Sequence, residues 1–309
     1  MSHLNLFIAL VTSSIITFTL QYIFTKFSLF DAINHRSVHK SKATKIGGIS
    51  IFMTLFIISL VYYFKQDQIF DFSLLIPLGI MFIVGVYDDF YNADFKLKFL
   101  LQIIVAKILI DQGFVIDNFH GVFGISTIPN IASQLFTIFV FLVIVNSINF
   151  IDGIDGLAIT EGIKVILLIE LFSNESTEIR ALGYLTVFCI LPLYYFNFKK
   201  ENKVFLGDAG SLLLGTLIAI YTIILLGADF QIQDTFISNK AILSIAILIY
   251  PLFDLLRVFY IRIKNKKSPF RPDNNHIHHL LLKKGLSHFL VCLIIQSISL
   301  LILFVIIII

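Results

Sequence analysis

The chain has 309 residues, of which 58% are hydrophobic and 14% charged, with 33 phenylalanines and a formal net charge of +3. Soluble domains run roughly 45–50% apolar and about 25% charged, so this composition excludes a water-soluble globule, and its hydrophobicity excludes disorder. The small net charge argues against a nucleic-acid binder, and Cys189 and Cys292, each inside an apolar run, support neither a disulfide framework nor a cysteine metal site.

A spanning helix needs about 20 mostly apolar residues. In chain order ten such runs are predicted, at 4–24, 47–64, 72–87, 98–112, 133–150, 159–173, 179–197, 211–227, 241–260 and 289–308. Their continuous apolarity lacks the alternation of barrel strands, so the fold class is an all-α polytopic membrane protein, one domain over 1–309. The first run has no basic flank and no small-residue cleavage site, and reads as a retained span. Residues 113–129 mix glycine, β-branched and aromatic residues and suit a small hairpin outside the bilayer. With ten spans, the loops after the first, third, fifth, seventh and ninth share one face. They carry 17 of the 23 Lys and Arg, whereas the other loops hold only Lys65, Arg180 and Lys240. The positive-inside rule places the basic loops in the cytoplasm and both termini outside.

The residues able to do chemistry gather in the same basic loops. Asp88 and Asp89 end the third span; adjacent carboxylates repel unless a cation or proton is shared, although a solvated loop start is the plainer reading. Asn146 and Asn149 lie near the end of the fifth span, ahead of Asp152-Gly153 and Asp155-Gly156; amides at that depth are costly and point to function. Gly207-Asp208-Ala209-Gly210-Ser211 opens the eighth span, where Asp208 fits a plain helix N-cap and a Mg2+ ligand bridging to a phosphate about equally. Before the last span come Arg271, His276, His278 and His279. Without a fourth clustered ligand and beside basic residues, these histidines suit phosphate contact better than zinc. Within the spans, Lys107 with Asp111 and Asp254 with Arg257 fit satisfied helix contacts, and Lys164 and Glu170 fit snorkelling side chains.

Taken together, VYDDF (86–90), NSINFIDGIDGLA (146–158), FLGDAGSLLLG (205–215), SPFRPDNNHIHHLLLKKG (268–285) and, more weakly, HRSVHKSKATKIGG (35–48) resemble the polyprenyl-phosphate N-acetylhexosamine-1-phosphate transferases. This is glycosyltransferase family 4, the MraY/WecA superfamily, and the HIHH form resembles its WecA-like branch. The resemblance implies an MraY-like bundle of about ten helices with catalytic cytoplasmic loops, in a bacterial inner membrane. It also implies transfer of a HexNAc-1-phosphate, GlcNAc-1-phosphate first, from a UDP-N-acetylhexosamine to undecaprenyl phosphate with release of UMP, initiating cell-envelope glycan synthesis. Carried over by position, Asp88, Asp89, Asp152 and His279 would be catalytic. Asn149 and Asp208 would hold Mg2+, with Mn2+ as a substitute, and Asp155, Arg271, His276, His278 and Lys45 would bind substrate. The basic loop has Thr44 where the family commonly has proline, which weakens the assignment of Lys40, Lys42 and Lys45 to phosphate. No nucleic-acid partner is implied, and a homodimer is left open. The other readings are a UDP-GalNAc or 6-deoxy-HexNAc donor, a metal-dependent membrane hydrolase, and an ion-coupled transporter. The transporter fits less well, because its sites tend toward the bilayer midplane and repeats, and neither is seen here.

Overall fold

A computed structural model describes residues 3–31, 42–174, 177, 179–227, 230–232, 239–270 and 273–308, with nothing said of the Phe123 side chain. Its helices follow the apolar runs. In order they are α1 (His3–Lys26), α2 (Gly47–Phe64), α3 (Leu75–Tyr91), α4 (Phe95–Asp111), α5 (Asn130–Ile151), α6 (Leu157–Phe172) and α7 (Arg180–Asn197). They continue as α8 (Gly207–Leu226), α9 (Lys240–Ile247), α10 (Ile249–Lys264), α11 (Ile277–Lys283) and α12 (His288–Ile308). The protein is therefore an all-α polytopic membrane protein. Six of the described helical stretches are long and apolar enough to cross a bilayer: α1, α2, Phe72–Tyr91, α5, α8 and α12. The α9–α10 pair makes a seventh if counted as one span. Helices α4 and α6, with 17 and 16 residues, are shorter than the usual span.

One predicted span is corrected. The run 241–260 is not a single helix but α9 and α10, bent by 75° at Leu248. Pro251 explains the break, since it cannot donate to the carbonyl four residues back and its ring crowds that turn, while the first turn of a new helix accepts it. The hairpin expected at 113–129 is present as an antiparallel bridge between Asn118 and Thr127.

Helix α8 is the hub. It is apolar around its circumference and buried along nearly its whole length, as expected of a helix enclosed by others. Its N-terminal end is approached at backbone distance. A Cβ on Gly48 would lie 2.1 Å from the Gly210 nitrogen, and one on Gly85 would lie 2.4 Å from the Ala209 Cα, so α2 and α3 reach α8 only because both positions lack side chains. Ahead of α2, Ala43–Thr44 (β1) pairs in parallel with Lys203–Val204 (β2), and the Gly47 and Gly48 N–H groups donate to the Phe205 and Leu206 carbonyls at 2.9 Å. Thr44, where the basic loop departs from the pattern it resembles, thus runs as extended strand.

Candidate active site

The first turn of α8 positions the acidic half of the site. Gly207 has φ +75°, and a Cβ there would sit 2.7 Å from an Asp89 oxygen. With that space open, Asp89 accepts the Asp208 and Ala209 N–H groups at 3.0 and 2.9 Å. A carboxylate on the free N–H groups of a helix start is worth about 1–2 kcal/mol. Asp89, expected to be catalytic, is thus placed as the cap of α8, with its side chain only 2% exposed. Lys45 lies 3.7 Å from Asp89 and 3.1 Å from Asp31. Burial works against the Lys45 charge, yet the carboxylates of Asp31, Asp89 and Asp208 together raise its pKa.

Asp88, on the adjacent position of α3, points elsewhere. It forms an ion pair with Lys98 of α4, accepts the Ala93 N–H at 2.7 Å, and lies within hydrogen-bonding reach of the Asp208 carboxyl. Asn149, in the last turn of α5, donates through Nδ2 to Asp208 Oδ1 at 2.5 Å and to Ser211 Oγ at 2.8 Å. Asp88, Asn149 and Asp208 therefore meet at one place, from three helices. Asp152 follows α5 as its C-cap, and its carboxylate accepts no hydrogen bond from the described residues. Desolvation, then the charges of Asp208, Asp89 and Asp155, push its pKa well above the ordinary carboxylate range.

Asp155 takes a different position from the one expected of a substrate ligand. It is buried, ion-paired with Lys203 of β2, and 2.9 Å from His288 Nδ1 at the start of α12. Burial alone would raise its pKa, but His288 and Lys203 together hold it below the usual value. Asp155 thus anchors the loop that carries Asp152.

The histidines divide their tasks. His276 Nδ1 is 2.7 Å from Asp254 of α10, and its Nε2 is 3.5 Å from Arg262. Arg262 also grips Asp273 through two bonds of 3.0 and 3.1 Å, holding the Asp273 pKa at about 2 against the opposing effect of burial. His278 is fully buried, with Nδ1 3.0 Å from the Tyr250 hydroxyl and Nε2 unpartnered among the described residues. A Cβ on Gly153 would lie 2.6 Å from His278 Nε2 and 3.0 Å from His279 Cε1, so the ring pair rests directly on the loop beside Asp152. His279 makes no hydrogen bond to a described residue. Burial and then the neighbouring His276 lower its pKa to about 4, which makes it a neutral imidazole at pH 7. Arg271, like Arg36 and Lys40 of the basic loop, lies outside the described residues.

The sequence reading missed Lys98, Lys203, Tyr250, Asp254, Arg262 and His288 as parts of this site. Lys98, Lys203 and Arg262 counted there only toward membrane orientation. Their partners Asp88, Asp155 and Asp273 lie on other elements and loops, so no helical spacing reveals them. Two readings within the spans are corrected: Lys164 does not snorkel but is buried against Glu161 at 2.8 Å, and Glu170 is buried beside Tyr221 at 3.0 Å. Each charge is cheaper next to a partner than near lipid.

Near Asp208, among the described residues, the carboxylates of Asp88, Asp89 and Asp152 face the ammonium groups of Lys45 and Lys98. Among the described residues no three acids or histidines form a ready-made metal cage. The hard oxygens of Asp208, Asp152, Asp88 and Asn149 instead suit a cation that takes one or two protein ligands and completes its shell with water and phosphate.

Residues 71–226 match the family model described as Glycosyl transferase family 4. A protein of Haemophilus influenzae named undecaprenyl-phosphate alpha-N-acetylglucosaminyl 1-phosphate transferase is 32% identical over 84% of this chain and 73% of its own length. One of the same name from Thermotoga maritima is 28% identical over 89% of this chain and 80% of its own. A Mycobacterium tuberculosis protein named decaprenyl-phosphate N-acetylglucosaminephosphotransferase is 27% identical over 84% and 70%.

Proposed function

The chain belongs to glycosyl transferase family 4, and from that premise we propose that it transfers GlcNAc-1-phosphate from UDP-GlcNAc to undecaprenyl phosphate, releasing UMP. The observation that carries this reading is the meeting of Asp88, Asn149 and Asp208 from three helices at one end of the bundle, beside the histidine motif. Such a cluster has an excess of negative charge, which suits a cation-bound diphosphate rather than a bare anion.

Phosphoryl transfer is mainly positioning and electrostatic stabilisation. Asp208 and the Asn149 side chain would hold Mg2+, with Asp152 as a further oxygen. When bound, the ion supplies charge neutralisation at the diphosphate and the leaving UMP. The lipid phosphomonoester has a second pKa near 6 and is largely ionised at neutral pH. Asp88, steadied by Lys98, then orients the attacking phosphate oxygen and takes its residual proton. Direct attack, with donor and lipid acceptor bound together, forms one bond to the β-phosphorus as the bond to UMP breaks, and is preferred over an aspartyl-phosphate route because it needs a single displacement. His279, neutral and with no hydrogen-bond partner among the described residues, would hydrogen-bond the diphosphate or sugar, while His276 and His278 are held by the protein itself. Ten crossings follow from the apolar runs, with the α9–α10 pair as one, and the positive-inside rule supports basic loops in the cytoplasm and both termini outside.

The test is purified protein in detergent with Mg2+, undecaprenyl phosphate and a panel of radiolabelled UDP sugars. Lipid-linked product with equimolar UMP from UDP-GlcNAc is expected. Preference for UDP-GalNAc or a 6-deoxy donor would move the substrate assignment, and water-dependent phosphate release would replace transfer by hydrolysis.

A further inference from the structure

Helix α10 carries a fully buried acid that the proposed chemistry does not use. Asp254 is 0% exposed, and its two oxygens are directed to the histidine segment: Oδ2 is 2.7 Å from His276 Nδ1, and Oδ1 accepts the Ile277 N–H at 2.9 Å. Arg257, one turn on, donates to the Asn275 carbonyl and lies 3.5 Å from Asp254 Oδ1. Asp254 Oδ1 accepts from a backbone N–H and Oδ2 faces His276 Nδ1, so the ring proton of His276 is assigned to Nδ1, with Nε2 toward Arg262. A carboxylate buried in a membrane bundle is costly and is retained where it does something. Here it fixes both the ring and the backbone at the start of α11. Within its first turn that helix lays the His278 and His279 rings on Gly153, next to Asp152.

We infer that Asp254 is a positioning residue for the transfer, acting through His276 and the Ile277 N–H to hold His279 against the Asp152 loop. The inference rests on the proposed transferase reading. It separates from that reading because the wild-type enzyme must first transfer GlcNAc-1-phosphate. If the wild type does not, the function is at fault; if it does and Asp254 proves indifferent, the inference is.

The experiment compares the wild type, Asp254→Asn, His276→Gln and the double variant in the UDP-GlcNAc assay, with melting curves for each. Asp254→Asn is expected to lower kcat roughly 10- to 100-fold, the range found when partners of active-site histidines are lost. KM for the lipid acceptor is expected to stay within about twofold, and the double variant to be no slower than His276→Gln alone. A merely structural role predicts losses that multiply, together with a lower melting temperature, and that result overturns the inference. So does an Asp254→Asn enzyme as fast as wild type. Should Asp254→Asn fail to accumulate, 15N spectra of wild-type histidines decide, with His276 assigned by the signal missing from His276→Gln. A proton on Nδ1 and none on Nε2 is expected, and the opposite tautomer contradicts the inference.

Discussion

The two ends of α8 each bury acidic chemistry, about 20 Å apart along the helix axis, and they resolve it in opposite ways. At the far end Glu170 sits among donors: Tyr221 at 3.0 Å, Thr177, and Arg180 at 3.4 Å. One of its oxygens accepts from both hydroxyls, and the other is ion-paired with the Arg180 guanidinium. At the near end Asp208 is crowded by Asp88, Asp89 and Asp152, and among the described residues the ammonium groups close by are those of Lys45 and Lys98. A folded chain with nothing to bind gains little from packing like charges together, whereas one that binds a cation and a diphosphate needs such a site ready. The contrast separates acids that hold the bundle together from acids that wait for a ligand.

Substitutions at the two ends sharpen that contrast. Asp208→Asn should have the largest effect, lowering transfer by about 1,000-fold or more. Its melting temperature should stay close to that of the wild type, because Asn is isosteric and keeps an oxygen acceptor for the Asn149 amide. A folded Asp208→Asn enzyme with substantial activity would break the comparison at its functional end. Asp88→Asn should cost about 100-fold, the scale of a lost acid–base or orienting group, measured as initial rate at saturating lipid. His279→Ala should lose roughly 10- to 100-fold. Because His279 is already neutral well above its pKa of about 4, the loss should be the same at pH 6 and pH 8. A loss that grows toward acid pH would mean that the charged ring is the working form. At the other end, Glu170→Gln should leave transfer within about twofold and lower unfolding stability by about 1–2 kcal/mol, since one buried acceptor is weakened rather than removed.

Much of this was legible in the sequence, because hydropathy, basic loops and loop motifs are local signals. The runs at 47–64 and 133–150 lie within helices α2 and α5, and Asn149 and Asp208 could be singled out from their depth and their glycine neighbours. What could not be read are pairings between distant elements. Asp88 and Asp89 are adjacent and chemically identical, yet one faces Lys98 and Asp208 while the other caps α8, a difference set by the crossing of α3 and α8. Asp155 and Asp152 are parted in the same way by Lys203 and His288. Asp254 resembled an ordinary helix ion pair, because its partner His276 lies 22 residues away. Pro251 was the one overlooked local signal, and it accounts for the break between α9 and α10.

The most direct test is a Mn2+ titration followed by electron paramagnetic resonance, on purified protein with UDP-GlcNAc and without lipid acceptor. One bound ion per chain is expected for the wild type and for Glu170→Gln, with binding lost in Asp208→Asn. Equal binding by Asp208→Asn and the wild type would contradict the claim that this end of α8 is built to receive a cation with its donor.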